Sequence, residues 1–174
     1  MKKVIKLKLN EHDIDQAIKE LEQWKKWLLE KTKEFITTLG EEGVQIASAK
    51  FASAAYDGTN DVTCEIEQKD ENTVAVIAIG GAVLFIEFGT GVTYPDNHPE
   101  KPAGILGRGQ YGYGLGKLNS WRYTGDPGTN GEVITSGKHA GEVRTHGNPA
   151  NMSMYLTVRE LKEKFEEIAR RVYV

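Results

Sequence analysis

Apolar and polar residues alternate at the start of the chain. Val4 is followed by Ile5, Leu7 and Leu9 on one face and by Lys6 and Lys8 on the other. A period of two over residues 3–9 predicts a short edge strand, whose outward lysines discourage pairing with another chain. The period then lengthens to that of a helix. Ile14, Ala17, Ile18, Leu21, Trp24, Leu28, Phe35 and Leu39 recur at helical spacing and predict a helix over 11–39. Asn10 is placed to cap it, and Glu11, Asp13 and Asp15 suit its positive end. Lys19, Glu20, Lys25, Lys26, Glu30, Lys31 and Lys33 fall mostly off the apolar face, as a solvated surface does. Trp24 and Trp27 do not both fit inward on one narrow stripe. Gly40 and Gly43 interrupt the pattern, and Val44, Ala47, Phe51, Ala54 and Ala55 resume it as a second, closely packing helix over 44–56.

Asp57-Gly58-Thr59-Asn60-Asp61 is a turn cluster. Val62, Cys64 and Ile66 alternate with Thr63, Glu65 and Glu67, which predicts a half-buried strand over 62–68. Residues 73–79 are nearly all apolar and read as a central strand buried on both faces, paired antiparallel with the first. In the short apolar stretch 82–88, Phe85 and Phe88 stand at i, i+3 and Gly89 follows, favouring a helix over a strand. Residues 92–147 hold no helical period and carry many glycines and aromatics. Short strands are expected near 121–124, 132–135 and 142–145, the last two forming a hairpin through 136–139. Met154, Val158, Leu161, Phe165, Ile168 and Val172 form the stripe of a final helix over 152–173, with Arg170 and Arg171 at its negative end. The chain therefore reads as a single α+β domain over 1–174. N-terminal helices and a C-terminal helix pack on a small, mainly antiparallel sheet. The excursion 92–147 is expected to be an assembly surface outside the folding core.

Composition narrows the function. The chain has 174 residues, a net charge of −3 and a pI near 5.9. That balance argues against a generally basic nucleic-acid-binding surface. A single cysteine, Cys64, precludes an internal disulfide and lies in a strand pattern where a small buried hydrophobe is expected. No stretch approaches the ~20 apolar residues of a membrane span, and the basic start lacks the apolar core of a signal peptide. A soluble protein made in the cytoplasm is expected, without a membrane partner.

Candidate chemistry is sparse. Glu87, flanked by Ile86 and Phe88, is a carboxylate in apolar company and needs hydrogen-bond partners if buried. Thr90 and the amides around Gly89 and Gly91 are candidates, so a structural carboxylate is the preferred reading over a general base. Gly107-Arg-Gly-Gln-Tyr-Gly112 fits GxGxxG, but lacks the strand before it and the helix after it. His98, His139 and His146, with Asp96 or Asp126, have no metal-ligand spacing, and His12 stands apart. Neither a metal, a cofactor nor a catalytic residue is assigned. Tyr111, Tyr113, Trp121 and Tyr123, interleaved with Arg108, Lys117 and Arg122, suit interface anchors or base stacking, and the acidic total favours the interface.

Residues 62–91, with the core Ile86-Glu87-Phe88-Gly89-Thr90-Gly91, resemble the neck and tail-completion proteins of long-tailed bacteriophages, also described as minor capsid or head–tail joining proteins. So do His146-Gly147-Asn148-Pro149-Ala150 and the helix that follows. Tyr94-Pro95-Asp96, Gly112-Tyr-Gly-Leu-Gly116 and Gly125-Asp-Pro-Gly-Thr-Asn-Gly131 are similar to the branch found in phages and prophages of Firmicutes. Other branches carry Pro-x-x-Thr-Gly-x-Leu where this chain has Ala55-Tyr-Asp-Gly-Thr-Asn-Asp61. The resemblance implies a non-enzymatic virion protein that forms a homo-oligomeric ring, six- or twelve-fold, by head-to-tail contacts. It implies head-closure or connector proteins on one side and tail terminator or tube proteins on the other. DNA would pass through the lumen without sequence-specific binding. Two rival readings stay open on the residues alone: a small hydrolase using Glu87 and His146, and a nucleic-acid-binding module using the aromatic loop.

Overall fold

The structure is a computed structural model that describes residues 4–6, 8, 10–90 and 119–174. Its architecture is α+β. Among the described residues, 4–6 and 8 belong to no strand, so the expected edge strand does not form there.

Helix α1 runs unbroken over Glu11–Ala52. The Asn10 side chain accepts from the Asp13 amide at 2.8 Å and caps it. At 42 residues it is about 63 Å long. The expected break at Gly40 and Gly43 is absent, and packing explains why. A Cβ on Gly43 would stand 2.8 Å from Val76 Cγ2 and 3.1 Å from Leu161 Cδ1. One on Gly40 would stand 3.2 Å from Val74 Cγ2. The glycines let the helix backbone lie directly on the sheet and against the last helix, which offsets their ~1 kcal/mol helix penalty. The helix ends earlier than the expected 56. The Asn60 side chain donates to the Phe51 carbonyl at 2.8 Å, satisfying one of the open carbonyls at that end. Trp27 meets Tyr173 edge-on at 6.4 Å, and Trp24 is also half-buried, so both tryptophans turn partly inward.

Strands β1 (Thr63–Asp70) and β2 (Thr73–Ile79) form an antiparallel ribbon, with Thr63 opposite Ile79 and Ile66 opposite Val76. They are its only two strands among the described residues, so β2 is not a central strand. Val74 and Val76 face α1, while Ile79 at the far end is exposed. Helix α2 (Val83–Phe88) forms where the i, i+3 phenylalanines predict it and stops at Gly89, whose φ is 74°.

Strands β3 (Trp121–Tyr123), β4 (Glu132–Val133) and β5 (Val143–Thr145) make a second antiparallel sheet in the order β3-β5-β4. The expected β4–β5 hairpin is present. This part of the excursion is not outside the core. Val143 and Thr145 are each 1% exposed, and the Thr129 amide donates to the Tyr56 carbonyl at 2.8 Å. A short sheet can bury little alone, so it docks on the segment that leaves α1. Residues 91–118, including Gly91, Tyr111 and Tyr113, lie outside the described residues.

Helix α3 (Ser153–Tyr173) closes the fold against α1. Phe35 meets Phe165 edge-on at 5.1 Å and Tyr173 at 5.7 Å, around buried Ile168 and Val172. Lys164 pairs with Glu42 at 2.6 Å, and Lys50 with Glu160 at 2.9 Å, lacing the two helices at their rim. A second core gathers Phe51, Ala54, Ala82 and Ile86 beneath the ribbon.

Candidate functional site

The residues singled out at 86–90 meet the 146–153 stretch, far along the chain. Met152, the residue before helix α3, holds a left-handed backbone with φ 56° and offers no side-chain cap. Four amides at a helix start need partners. Glu87, 6% exposed on α2, supplies two: its Oε2 accepts from the Met154 amide at 2.8 Å and its Oε1 from the Tyr155 amide at 3.1 Å. A negative charge there also complements the helix dipole. These two partners lie on a helix 67 and 68 residues away, where the sequence had suggested Thr90 and the nearby glycine amides, and Gly91 lies outside the described residues.

The backbones lock as well. The Asn151 amide donates to Ile86 O at 2.8 Å, the Met152 amide to Glu87 O at 3.2 Å, and the Thr90 amide to Asn148 O at 2.8 Å. Gly89 sits in the crossing: a Cβ on it would stand 2.7 Å from both Ala150 N and Asn148 O. Only glycine suits both that approach and the positive φ.

Asn148, fully buried, organises the neighbouring polar groups. Its Oδ1 accepts from the Asp57 amide at 2.9 Å and from Asn130 Nδ2 at 3.2 Å. Its Nδ2 donates to Thr90 Oγ1 at 3.2 Å and to Asp57 Oδ1. Thr90 Oγ1 also accepts from the Asn148 amide at 2.9 Å. Asn151 Nδ2 reaches the Lys50 carbonyl at 2.8 Å and ties in the end of α1. Nearby, Asp61 accepts from the Gly81 amide at 2.8 Å and the Ala82 amide at 2.9 Å. Those amides, Ala82's first, hold its carboxyl below the usual aspartate range.

Glu87 and His146 do not form a pair. Glu87 is committed to α3, while exposed His146 turns its Nδ1 to the Asn119 carbonyl at 3.0 Å. His139 pairs with Glu142 at 3.0 Å. Among the described residues no group of His, Cys, Asp and Glu is disposed to hold a metal ion. Burial pushes the Cys64 thiol up, away from nucleophile behaviour. Phe88 lines an open groove with Met154 and Tyr155 beside α3. Trp121 and Tyr123 share one side of β3 and line a cavity with Tyr56, Asp57, Phe85 and Thr90. The arrangement is a fastening device: four segments are fixed by buried hydrogen bonds around α2. Sequence reading missed Asn148, Asn151 and Asp61 as its members. The available signal was Thr90 between two glycines and Asn148 between a glycine and a proline, polar residues set where the backbone turns.

No protein-family model, no curated protein and no solved structure matches this chain.

Proposed function

We propose that this protein is a structural subunit of the neck of a long-tailed bacteriophage, a tail-completion protein that joins head to tail. It acts without catalysis and without a cofactor, as a homo-oligomeric ring of six or twelve copies around the DNA path. Its partners are head-closure or connector proteins and tail terminator or tube proteins, and its place is the virion, after synthesis in the bacterial host.

One observation carries the reading. The two stretches on which the resemblance rests, 86–90 and 146–152, are remote in sequence yet bonded to each other through Glu87, Thr90, Asn148 and Asn151. Motifs that interlock in this way belong to one structural unit, and Glu87 there serves a helix rather than a substrate. A second feature suits assembly. Ile14, Ile18 and Leu21 form an exposed apolar stripe on α1, on the N-terminal side of the Trp27–Tyr173 contact with α3. Such a stripe is the kind of surface that neighbours in an oligomer cover.

Deletion of the gene from a phage or inducible prophage tests the proposal. The expected lysate contains DNA-filled heads and separate tails, with joining restored by the added protein. Particles that stay joined without it, or purified virions that lack it, would overturn the reading.

A further inference from the structure

Tyr56, Phe85, Trp121 and Tyr123 converge on a cavity of about 240 Å³ that Asp57 and Thr90 also line. Three parts of the fold build it. Tyr56 and Asp57 come from the segment after α1, Phe85 from α2, and Trp121 and Tyr123 from alternate positions of β3. Arg122, between them, lies on the other side of the strand, where its Nε meets Glu142 Oε2 at 3.3 Å. Among the described residues, no lysine or arginine lines the cavity.

We infer that this cavity is a binding site for the guanidinium group of an arginine presented by a protein partner. The charge is complementary. Asp57 uses Oδ1 on the Asn148 side chain, and its Oδ2 accepts no hydrogen bond from the described residues. Asp126 lies close enough to act on the Tyr123 phenol, which burial first and then Asp57 and Asp126 push up. Tyr56 is raised by burial, then by Asp57 and Asp61. A cation entering here therefore meets Asp57 in the lining, with Asp126 near Tyr123, among four aromatic side chains. The flat, weakly hydrated guanidinium stacks on such rings while donating to a carboxylate oxygen, whereas a lysine ammonium brings only a compact, strongly hydrated charge. The cavity is walled by fixed elements: the Tyr123 hydroxyl donates to the Asp126 carbonyl at 2.8 Å, and Asp57 is anchored by Asn148.

Titration of the full chain with N-acetyl-arginine amide, followed by tryptophan fluorescence, tests it. N-acetyl-citrulline amide, neutral and nearly isosteric, is the control. The expected result is a saturable response to the arginine derivative, with binding at least about 5-fold tighter than for the citrulline one. The response should disappear in Trp121→Leu, and binding should weaken by a similar factor in Tyr123→Leu, with melting of both variants kept cooperative. Equal responses to the two derivatives in the unaltered protein, or no saturable response, would overturn the inference. That comparison decides the matter even if Trp121→Leu fails to fold.

Discussion

The two ends of α3 are held by different physics. Its C-terminal half is fastened by apolar and aromatic packing, with Phe165, Ile168, Val172 and Tyr173 gathered on Phe35 of α1. Its N-terminus is fastened by polar groups from elsewhere in the chain: Glu87 on its first amides, and Asn148 and Asn151 just before it. Packing is non-directional, so its contribution scales with buried area and degrades gradually when side chains shrink. A buried hydrogen-bond network behaves otherwise. Removing one member leaves several others desolvated and unpaired, so the cost concentrates on a few residues. The first kind of fastening sets how strongly the helices associate. The second sets where α3 begins and how it lies on α2.

The comparison can be broken most severely at its apolar end. Phe35→Ala should destabilise the protein by about 3–5 kcal/mol, the usual range for truncating a buried phenylalanine. Denaturant unfolding measures this, and Phe35→Leu should recover a large part of the loss. At the polar end, Asn148→Ala should cost about 2–4 kcal/mol, since Asp57, Thr90 and Asn130 lose their shared partner. Here the conservative Asn148→Asp should not rescue, because a carboxylate cannot donate to Thr90 and would stand beside Asp57. Rescue by Asp would contradict the assigned hydrogen-bond directions.

How much of this was legible in the sequence differs between the same two regions. The stripe Met154, Val158, Leu161, Phe165, Ile168 and Val172 announces α3 by its period, and the ribbon and α2 follow from equally local patterns. The polar fastening has no period. Glu87 was identifiable as a carboxylate needing partners, yet two of those partners are amides 67 and 68 residues away, and spacing carries no trace of them. Glycine misled for a related reason. Gly40 and Gly43 read as a break because their local preference is against helix, whereas tertiary packing of α1 on Val74, Val76 and Leu161 decides their conformation. The 92–147 stretch read as peripheral because it is rich in glycine and has little apolar surface to offset its ordering, although Val143 and Thr145 within it end up fully enclosed.

That lesson about the glycines yields a smaller effect. Gly43→Ala gains up to ~1 kcal/mol of helix preference but drives a Cβ to 2.8 Å from Val76, and overpacking of ~1–3 kcal/mol should win. Gly40→Ala meets only side-chain tips at 3.2 and 3.3 Å and should stay within about 0.5 kcal/mol of the unaltered protein. Thermal melts of the pair check the order, and equal melting temperatures would show that α1 stands further from the ribbon than described.

The smallest effect concerns pH at Asp61. Its folded carboxyl is held below the ordinary value, so its contribution is present above the unfolded value of 3.8 and is lost as pH falls through the lower folded one. Asp61→Asn should therefore melt below the unaltered protein at neutral pH, and the gap should narrow on acidification below 3.8. A gap that stays constant with pH would remove the ionised carboxylate from the account.

Glu87 works as the missing cap of α3. Amide hydrogen exchange in Glu87→Gln tests this role most directly. The account predicts that the Met154 and Tyr155 amides exchange roughly 10-fold faster or more, with a stability loss of ~1–3 kcal/mol, while the amides of 165–172 lose no more than that global loss. Unchanged protection at Met154 and Tyr155, with the melting temperature also unchanged, would contradict it and leave the carboxylate open to a chemical role.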